Sequence, residues 1–276
     1  MLEEILSVQN LTKHFTKKGI FSSSNTVVKA VDNISFSLKK GEVLVLAGGS
    51  GSGKSTTARL ILGAIESDSG KIFFDGTEIG KDNKSLEKIR MKCQMIHQDP
   101  YASIDPRMKI SNIIMKPLEI HKIGTKEERK KMVHDALHEV KLEPAEDIFN
   151  KFPHMLSGGQ RQRVVLARAL VLKPKLIIAD EPVSMLDVSI RAEVLELMRE
   201  LQQKHGISYI YITHDLSTAR YLGQNIAIMY SGKIVESGPI DDVLFNPKHP
   251  YTKALIDAIS DPDPDNLFRD KKFGKY

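Results

Sequence analysis

Apolar residues recur at every second position through residues 5–46, in short segments such as VDNISFSL and GEVLVLAG. That period predicts a β-rich start to the chain. Residues 17–26 (KKGIFSSSNT) are polar and rich in Gly, Ser and Lys, and predict a hairpin loop within it. From about 111 to 156 the period lengthens. In TKEERKKMVHDALHEV, Met132, Val133, Ala136, Leu137 and Val140 follow at spacings of one, three and four, the spacing of one helix face, so a helical insertion is predicted here. RAEVLELMRELQQK (191–204) predicts another amphipathic helix, and the unbroken apolar run ISYIYIT after it predicts a strand buried on both faces. The Pro/Asp-rich SDPDPDN and the Lys-rich tail predict a frayed end.

A chain of 276 residues accommodates one elaborated domain or two small ones. With 41% apolar and 27% charged residues it is expected to be a soluble globular protein, not a disordered tail, a collagen-like fibre or a disulfide scaffold. Lys and Arg exceed Asp and Glu by only five, 40 against 35, and the excess is spread along the chain, so no nucleic-acid partner is expected. Cys93 is the single cysteine, which excludes an intrachain disulfide, a cysteine-only zinc site and an iron–sulfur cluster built from this chain alone. It reads as a small buried hydrophobe in a reducing compartment. The start MLEEILSVQNLTKHF does not have the pattern of a signal peptide, and no apolar run approaches the roughly 18 residues of a membrane span, so action at a membrane is expected to go through partners. His121, His134, His138 and His154 show no metal-ligand spacing and are assigned surface or packing roles.

Two motifs change this picture. Gly48-Gly49-Ser50-Gly51-Ser52-Gly53-Lys54-Ser55 fits G-x-x-x-x-G-K-[ST] and directly follows the predicted strand EVLVLA, with a predicted helix (KSTTARLIL) after it. Glycines at this spacing let backbone N–H groups converge on phosphate oxygens, and the helix aims its positive end at the same anion. Lys54 is predicted to reach the β- and γ-phosphates, and Ser55, followed by Thr56, to offer a hydroxyl to Mg²⁺. The second motif is the apolar run Leu176–Ala179 ending in Asp180-Glu181. It could be an acidic turn after a core strand. Downstream of a phosphate loop it predicts that Asp180 holds magnesium and that Glu181 orients a hydrolytic water.

Leu156-Ser157-Gly158-Gly159-Gln160, lying between these motifs, resembles the signature of the ATP-binding cassette (ABC) ATPases. Gln98, the loop Ser184-Met185-Leu186-Asp187 and His214 after YIYIT occur in that family's order, and the resemblance covers about residues 5 to 256. It implies an α/β fold: a P-loop NTPase, RecA-like core with an antiparallel β-subdomain and an inserted α-helical subdomain at about 99–168. The cassette would span 1–237 and a short C-terminal extension 238–276. The implied ligands are ATP and Mg²⁺. Glu181, His214 and Gln98 would be catalytic, and Ser55, Gln98 and Asp180 would face the metal. Phe15, Gly48–Thr56, Ser157, Gly158, Gly159, Gln160 and Asp187 would bind nucleotide, with Phe15 stacking on adenine; ordinary core packing is the alternative for Phe15. Ser157 is a good N-cap, and the N–H groups of Ser157, Gly158 and Gly159 would form an anion site for ATP held by a second cassette in a head-to-tail dimer. Asp187 would line that interface.

Two further stretches, His97-Gln98-Asp99-Pro100-Tyr101 through Asp105-Pro106-Arg107-Met108 and Asn246-Pro247-Lys248-His249-Pro250-Tyr251-Thr252, resemble the oligopeptide/dipeptide importer ATPases. That resemblance implies an energising subunit on the cytoplasmic face of the membrane. Its partners would be a second, homologous ABC ATPase chain, two permease subunits and, indirectly, an extracytoplasmic binding protein. The subfamily also moves nickel and oligosaccharides, so cargo stays open, and a soluble non-transport cassette or a regulatory one remains an alternative. Departures are Gly49 where Glu is usual, Met185 for Ala, Gln224-Asn225 for Asp-Arg, and no cysteine after Tyr251 for the iron–sulfur centre of many relatives. With the motif residues intact, the chain is expected to contribute complete halves to both composite sites.

Overall fold

The computed structural model describes residues 3–17, 26–80 and 82–259. The chain begins with two long strands, β1 (Glu4–Lys17) and β2 (Thr26–Lys39), followed by β3 (Val43–Ala47), α1 (Lys54–Ile61), β4 (Ser69–Phe74), β5 (Thr77–Glu78), α2 (Asn83–Lys92) and β6 (Cys93–Ile96). A helical stretch follows: α3 (Pro100–Ser103), α4 (Ile110–Ile120), α5 (Lys126–Glu139), α6 (Ala145–Asn150), a 3₁₀ turn at Pro153–Met155 and α7 (Gly158–Leu170). The chain then returns through β7 (Leu176–Asp180), α8 (Val188–His205), β8 (Ser208–Thr213), α9 (Leu216–Leu222), β9 (Asn225–Tyr230), β10 (Lys233–Pro239), α10 (Ile240–Phe245) and α11 (Pro250–Ile259). Of the predicted hairpin loop, Lys17 closes β1 and Thr26 opens β2, while residues 18–25 lie outside the described residues. The predicted frayed end, from Ser260, also lies outside them.

The strands form two sheets. One is antiparallel, in the order β2-β1-β4-β5; the other runs β10-β9-β3-β8-β7-β6, with β9, β3, β8, β7 and β6 mutually parallel and β10 antiparallel at the edge. Parallel strands need crossovers, and the helices that supply them cover a face that would otherwise meet water.

The alternation read in EVLVLA needs correcting. All five residues of β3 are buried, as are all six of β8. The period of two survives as a division between two cores. Val43, Val45 and Ala47 point into one, with Ile177, Ala179, Tyr209 and Tyr211, against α4–α8. Leu44 and Leu46 point into the other, with Ile178, Ile210 and Ile212, against the antiparallel sheet and α1. A strand between two apolar layers has no polar phase to display. Each aliphatic side chain these strands remove from water contributes about 1.5–3 kcal/mol.

The predicted helical faces pack as read: Val133, Ala136, Leu137 and Val140 are buried in the first core. α5 opens with a capping box in which Thr125 Oγ1 accepts the N–H of Glu128 while the Glu128 carboxylate accepts that of Thr125. Pro117 lies inside α4 without ending it. His134 stacks on Phe149 at 4.5 Å, His154 on Phe152 at 5.8 Å, and the exposed His138 pairs with Glu143.

Cys93 is 1% exposed, and burial pushes its thiol well above the ordinary range. The folded chain is therefore predicted to give no colour with a thiol reagent at mild alkaline pH, and one equivalent once unfolded in guanidinium chloride. Rapid modification of the native protein would contradict the packing around β6.

Candidate functional site

Register along the parallel sheet places the sequence motifs together. Ala47 lies opposite Thr213, Asp180 opposite Ile212 and Ile96 opposite Ala179. The residues that leave these strands are Gly48 from β3, His214 from β8, Glu181 from β7 and, two positions on, Gln98 from β6. All four therefore emerge at one edge of the sheet, within about a residue of the same level.

The loop from Gly48 to Gly53 is tightly fitted. Gly48 and Gly53 have φ of +149° and +110°, and a Cβ on either would stand 2.2 Å from a backbone oxygen, that of Met229 or Ala30 respectively. No other residue fits both the angle and the space. Gly53 precedes α1, so the first N–H groups of that helix open toward the loop. The Lys54 ammonium donates to the carbonyls of Gly48 at 2.7 Å and Gly49 at 2.9 Å and approaches Ser52 Oγ at 3.4 Å. Burial lowers its pKa, against the opposing charges of Glu181 and Asp180. Ser50, Gly51 and Ser55 are exposed and Thr56 is half-buried.

Ser55 and Asp180 meet across the site. Burial raises the Asp180 pKa; the hydrogen bond from Ser55 and the charge of Lys54 oppose that shift, and the neighbouring Glu181 charge adds to it. Glu181 is held at both carboxylate oxygens. Gln98 Nε2 donates to Oε2 at 3.0 Å, and His214 Nδ1 contacts Oε1 at 2.8 Å. A carboxylate only accepts, so that ring nitrogen carries the proton. The Glu181 backbone is left-handed at φ 47°, and its N–H donates to Ile212 O at 2.9 Å. A non-glycine residue in that conformation costs on the order of 1–3 kcal/mol, so the surrounding bonds over-determine its place.

The signature segment stands elsewhere, beside α8. Ser157 Oγ accepts the N–H of Gln160 at 3.3 Å, and Gln160 Oε1 accepts that of Ser157 at 3.0 Å, a complete capping box. This corrects the expectation for Ser157: its N–H is engaged by Gln160, and the groups at the first two helical positions, Gly158 and Gly159, are the ones without an intrahelical acceptor. A Cβ at Gly159 would stand 2.6 Å from Ile190 Cγ2, so its small size serves packing as well. A Cβ at Gly158 would stand 3.5 Å from Leu186 Cδ2, in ordinary contact. Asp187 is exposed and precedes α8 without a side-chain cap; Met185 and Val188 beside it are also exposed.

Arg191 had no signal in the sequence. Its guanidinium donates to Leu186 O at 2.9 Å and Ser184 O at 3.4 Å, which fixes the loop before Asp187. Phe15 lies on β1 opposite Val28 and is 42% exposed, with the Lys13 ammonium 5.6 Å from its ring centre. That exposure removes the core-packing alternative. In the DPR stretch the Arg107 guanidinium grips both Asp105 oxygens and pulls that carboxyl down to about 2.

A phosphate loop, a carboxylate pair and a histidine on adjacent parallel strands define a P-loop nucleotide-binding fold. A family model for the ABC transporter matches residues 31–184, and one for the oligopeptide/dipeptide transporter C-terminal region matches 235–275. The chain belongs to the ABC transporter family. It is 48% identical over 269 residues to the oligopeptide transport ATP-binding protein OppF of Bacillus subtilis, covering 96% of this chain and 85% of that one. It is 46% identical to OppF of Streptococcus mutans, covering 95% and 83%. Among solved structures it is similar to a dimer of the ATP-binding cassette MJ0796 in a post-hydrolysis state bound to ADP and Pi, with TM-score 0.74 and 30% identity over 85% of this chain and 98% of that one. It is similar also to cbiO1 of Clostridium perfringens, part of the cbiONQ complex, with TM-score 0.77 and 30% identity over 88% and 92%.

The fit of Gly159 against Ile190 yields a test. Gly159→Ala is predicted to destabilise the chain by about 1–3 kcal/mol in urea unfolding. Adding Ile190→Ala should recover part of that loss; a double variant less stable than the single would contradict the contact.

Proposed function

We propose that this chain is the ATP-hydrolysing subunit of a peptide-type ABC importer. The observation that carries the reading is the Glu181 carboxylate, held by Gln98 and His214 at the sheet edge that also bears the Lys54 loop. In this reading residues 1–237 are the cassette, with about 99–168 as its helical subdomain, and 238–276 the C-terminal extension. The N–H groups of Ser50, Gly51, Gly53 and Lys54 and the Lys54 ammonium bind the β- and γ-phosphates, and the exposed Phe15 ring stacks on adenine. Glu181 orients the attacking water and takes up its proton, while His214 holds Glu181 and hydrogen-bonds the γ-phosphate. Gln98, on the segment leading to α3 and α4, relays the state of the site to the helical layer.

The donor set fits a magnesium ion. Ser55 and Asp180 bring two hard oxygens into hydrogen-bond contact, and Gln98, whose amide nitrogen is given to Glu181, lines the same cavity and would add its amide oxygen as a third donor. When bound, Mg²⁺ neutralises phosphate charge.

A second cassette completes the site. Gly158, Gly159 and the capped Ser157–Gln160 turn present a helix N-terminus suited to the γ-phosphate of a facing subunit, and exposed Met185, Asp187 and Val188 suit the interface. The solved MJ0796 dimer supports this pairing. Peptide cargo is favoured over nickel or oligosaccharide by the relatives, named for peptide and oligopeptide transport, and by the C-terminal match. Among the described residues no helix is long and apolar enough to cross a membrane. Attachment to the cytoplasmic face would go through two permease subunits, with an extracytoplasmic binding protein choosing the cargo.

Glu181→Gln is expected to slow ATP hydrolysis by about 10²–10⁴-fold while leaving ATP binding intact. Normal turnover in a phosphate-release assay would remove Glu181 from the catalytic role. Purified from membranes, the tagged chain is expected to bring integral permeases with it; recovery with ribosomes or DNA alone would sink the transport reading.

A further inference from the structure

The His249-Pro250-Tyr251-Thr252 stretch has no part in the chemistry above, yet it reaches the phosphate loop. Glu236 on β10 accepts the N–H groups of Lys248 at 2.8 Å and His249 at 3.0 Å, which fixes the approach to α11. His249 Nδ1 accepts the N–H of Tyr251 at 3.1 Å. The Tyr251 ring lies on that of Tyr230, 4.3 Å between centres and tilted by 35°. Tyr230 follows Met229, whose carbonyl closes over Gly48. So aimed, the Tyr251 hydroxyl accepts the N–H of Gly49 at 2.7 Å.

That N–H belongs to the same peptide unit as the Gly48 carbonyl, which accepts from Lys54 Nζ at 2.7 Å. One planar group is therefore held at both ends, by the lysine on one side and by the tyrosine on the other. Because the peptide is rigid, it cannot turn at one end without turning at the other. The Gly49 carbonyl, one unit on, also accepts from Lys54.

We propose that Tyr251 is a positioning residue of the phosphate loop: its hydroxyl sets the orientation of the Gly48–Gly49 peptide and through it the place of the Lys54 ammonium. The C-terminal element is thereby coupled to nucleotide affinity. The inference rests on the reading of Gly48–Ser55 as the nucleotide loop. If Tyr251 served only to anchor α11, its ring on Tyr230 would suffice and the hydroxyl would be dispensable.

Tyr251→Phe separates the two, since it keeps the ring and removes the acceptor. In the full chain, titration with magnesium and a fluorescent ATP analogue is expected to show Kd raised about two- to tenfold, the reach of one hydrogen bond whose donor is left unpaired. The Gly49 amide resonance, observed with ¹⁵N-glycine, is expected to shift, and the urea midpoint to fall by no more than the loss of that one hydrogen bond. Glu236→Ala, which releases the approach to α11 but leaves the tyrosine in place, is expected to weaken binding in the same direction. An unchanged Kd in both variants would overturn the inference and leave the proposed function standing. Failure of the unaltered chain to bind the analogue would overturn both.

Discussion

The arrangement depends on one constraint: β3, β8, β7 and β6 are parallel neighbours whose C-terminal ends come level. Parallel strands carry their next residues out on the same side, and an open sheet of this kind receives ligands there. Because β3, β8 and β7 are buried on both faces, a slip in register would carry Gly48, Glu181 or His214 away from the others and also disturb two apolar cores. Packing energy therefore guards the geometry of the site. A phosphate loop and a carboxylate more than a hundred positions apart in the chain become neighbours through β-ladder pairing alone.

Beyond that edge, the polar groups are secured by local bonds. Glu181 sits in a left-handed conformation held by Ile212, and its carboxylate is gripped at both oxygens. Lys54 is buried among carbonyls, which keep a desolvated cation in place at the cost of a lowered pKa. The signature turn, by contrast, is fixed by its own capping box and by Ile190, away from the phosphate loop. A helix end built beside α8, with Ser157 exposed, suits the proposed ligand held by another molecule better than one held by the same chain.

Much of this was legible in the residues. The phosphate loop could be read because glycine spacing, a preceding strand and a following helix all agree, and the helix faces of α5 and α8 because their periods are long. The central strand β3 was misread as alternating because the period of the flanking segments was carried over it; Val43–Ala47 is itself an unbroken apolar run, the same signal that marked ISYIYIT as buried on both faces. Gln160 was read as a ligand group, yet its side chain first completes a cap, a reciprocal bond that depends on rotamers. Arg191 and Tyr251 carried no visible role: each acts on a loop distant in sequence, and only the folded contact reveals it. The HPYT letters marked a subfamily, and their physical meaning came from Glu236, Tyr230 and Gly49 together.

The central claim is that the level ends of these strands form one nucleotide site. The most direct test is the electron density of the chain crystallised with magnesium and a non-hydrolysable ATP analogue. The account predicts the triphosphate wrapped by Gly48–Ser55, with Asp180 on the metal side and the Glu181 carboxylate and His214 beside the terminal phosphate. A triphosphate bound elsewhere, or a terminal phosphate lying out of reach of Glu181, would contradict it.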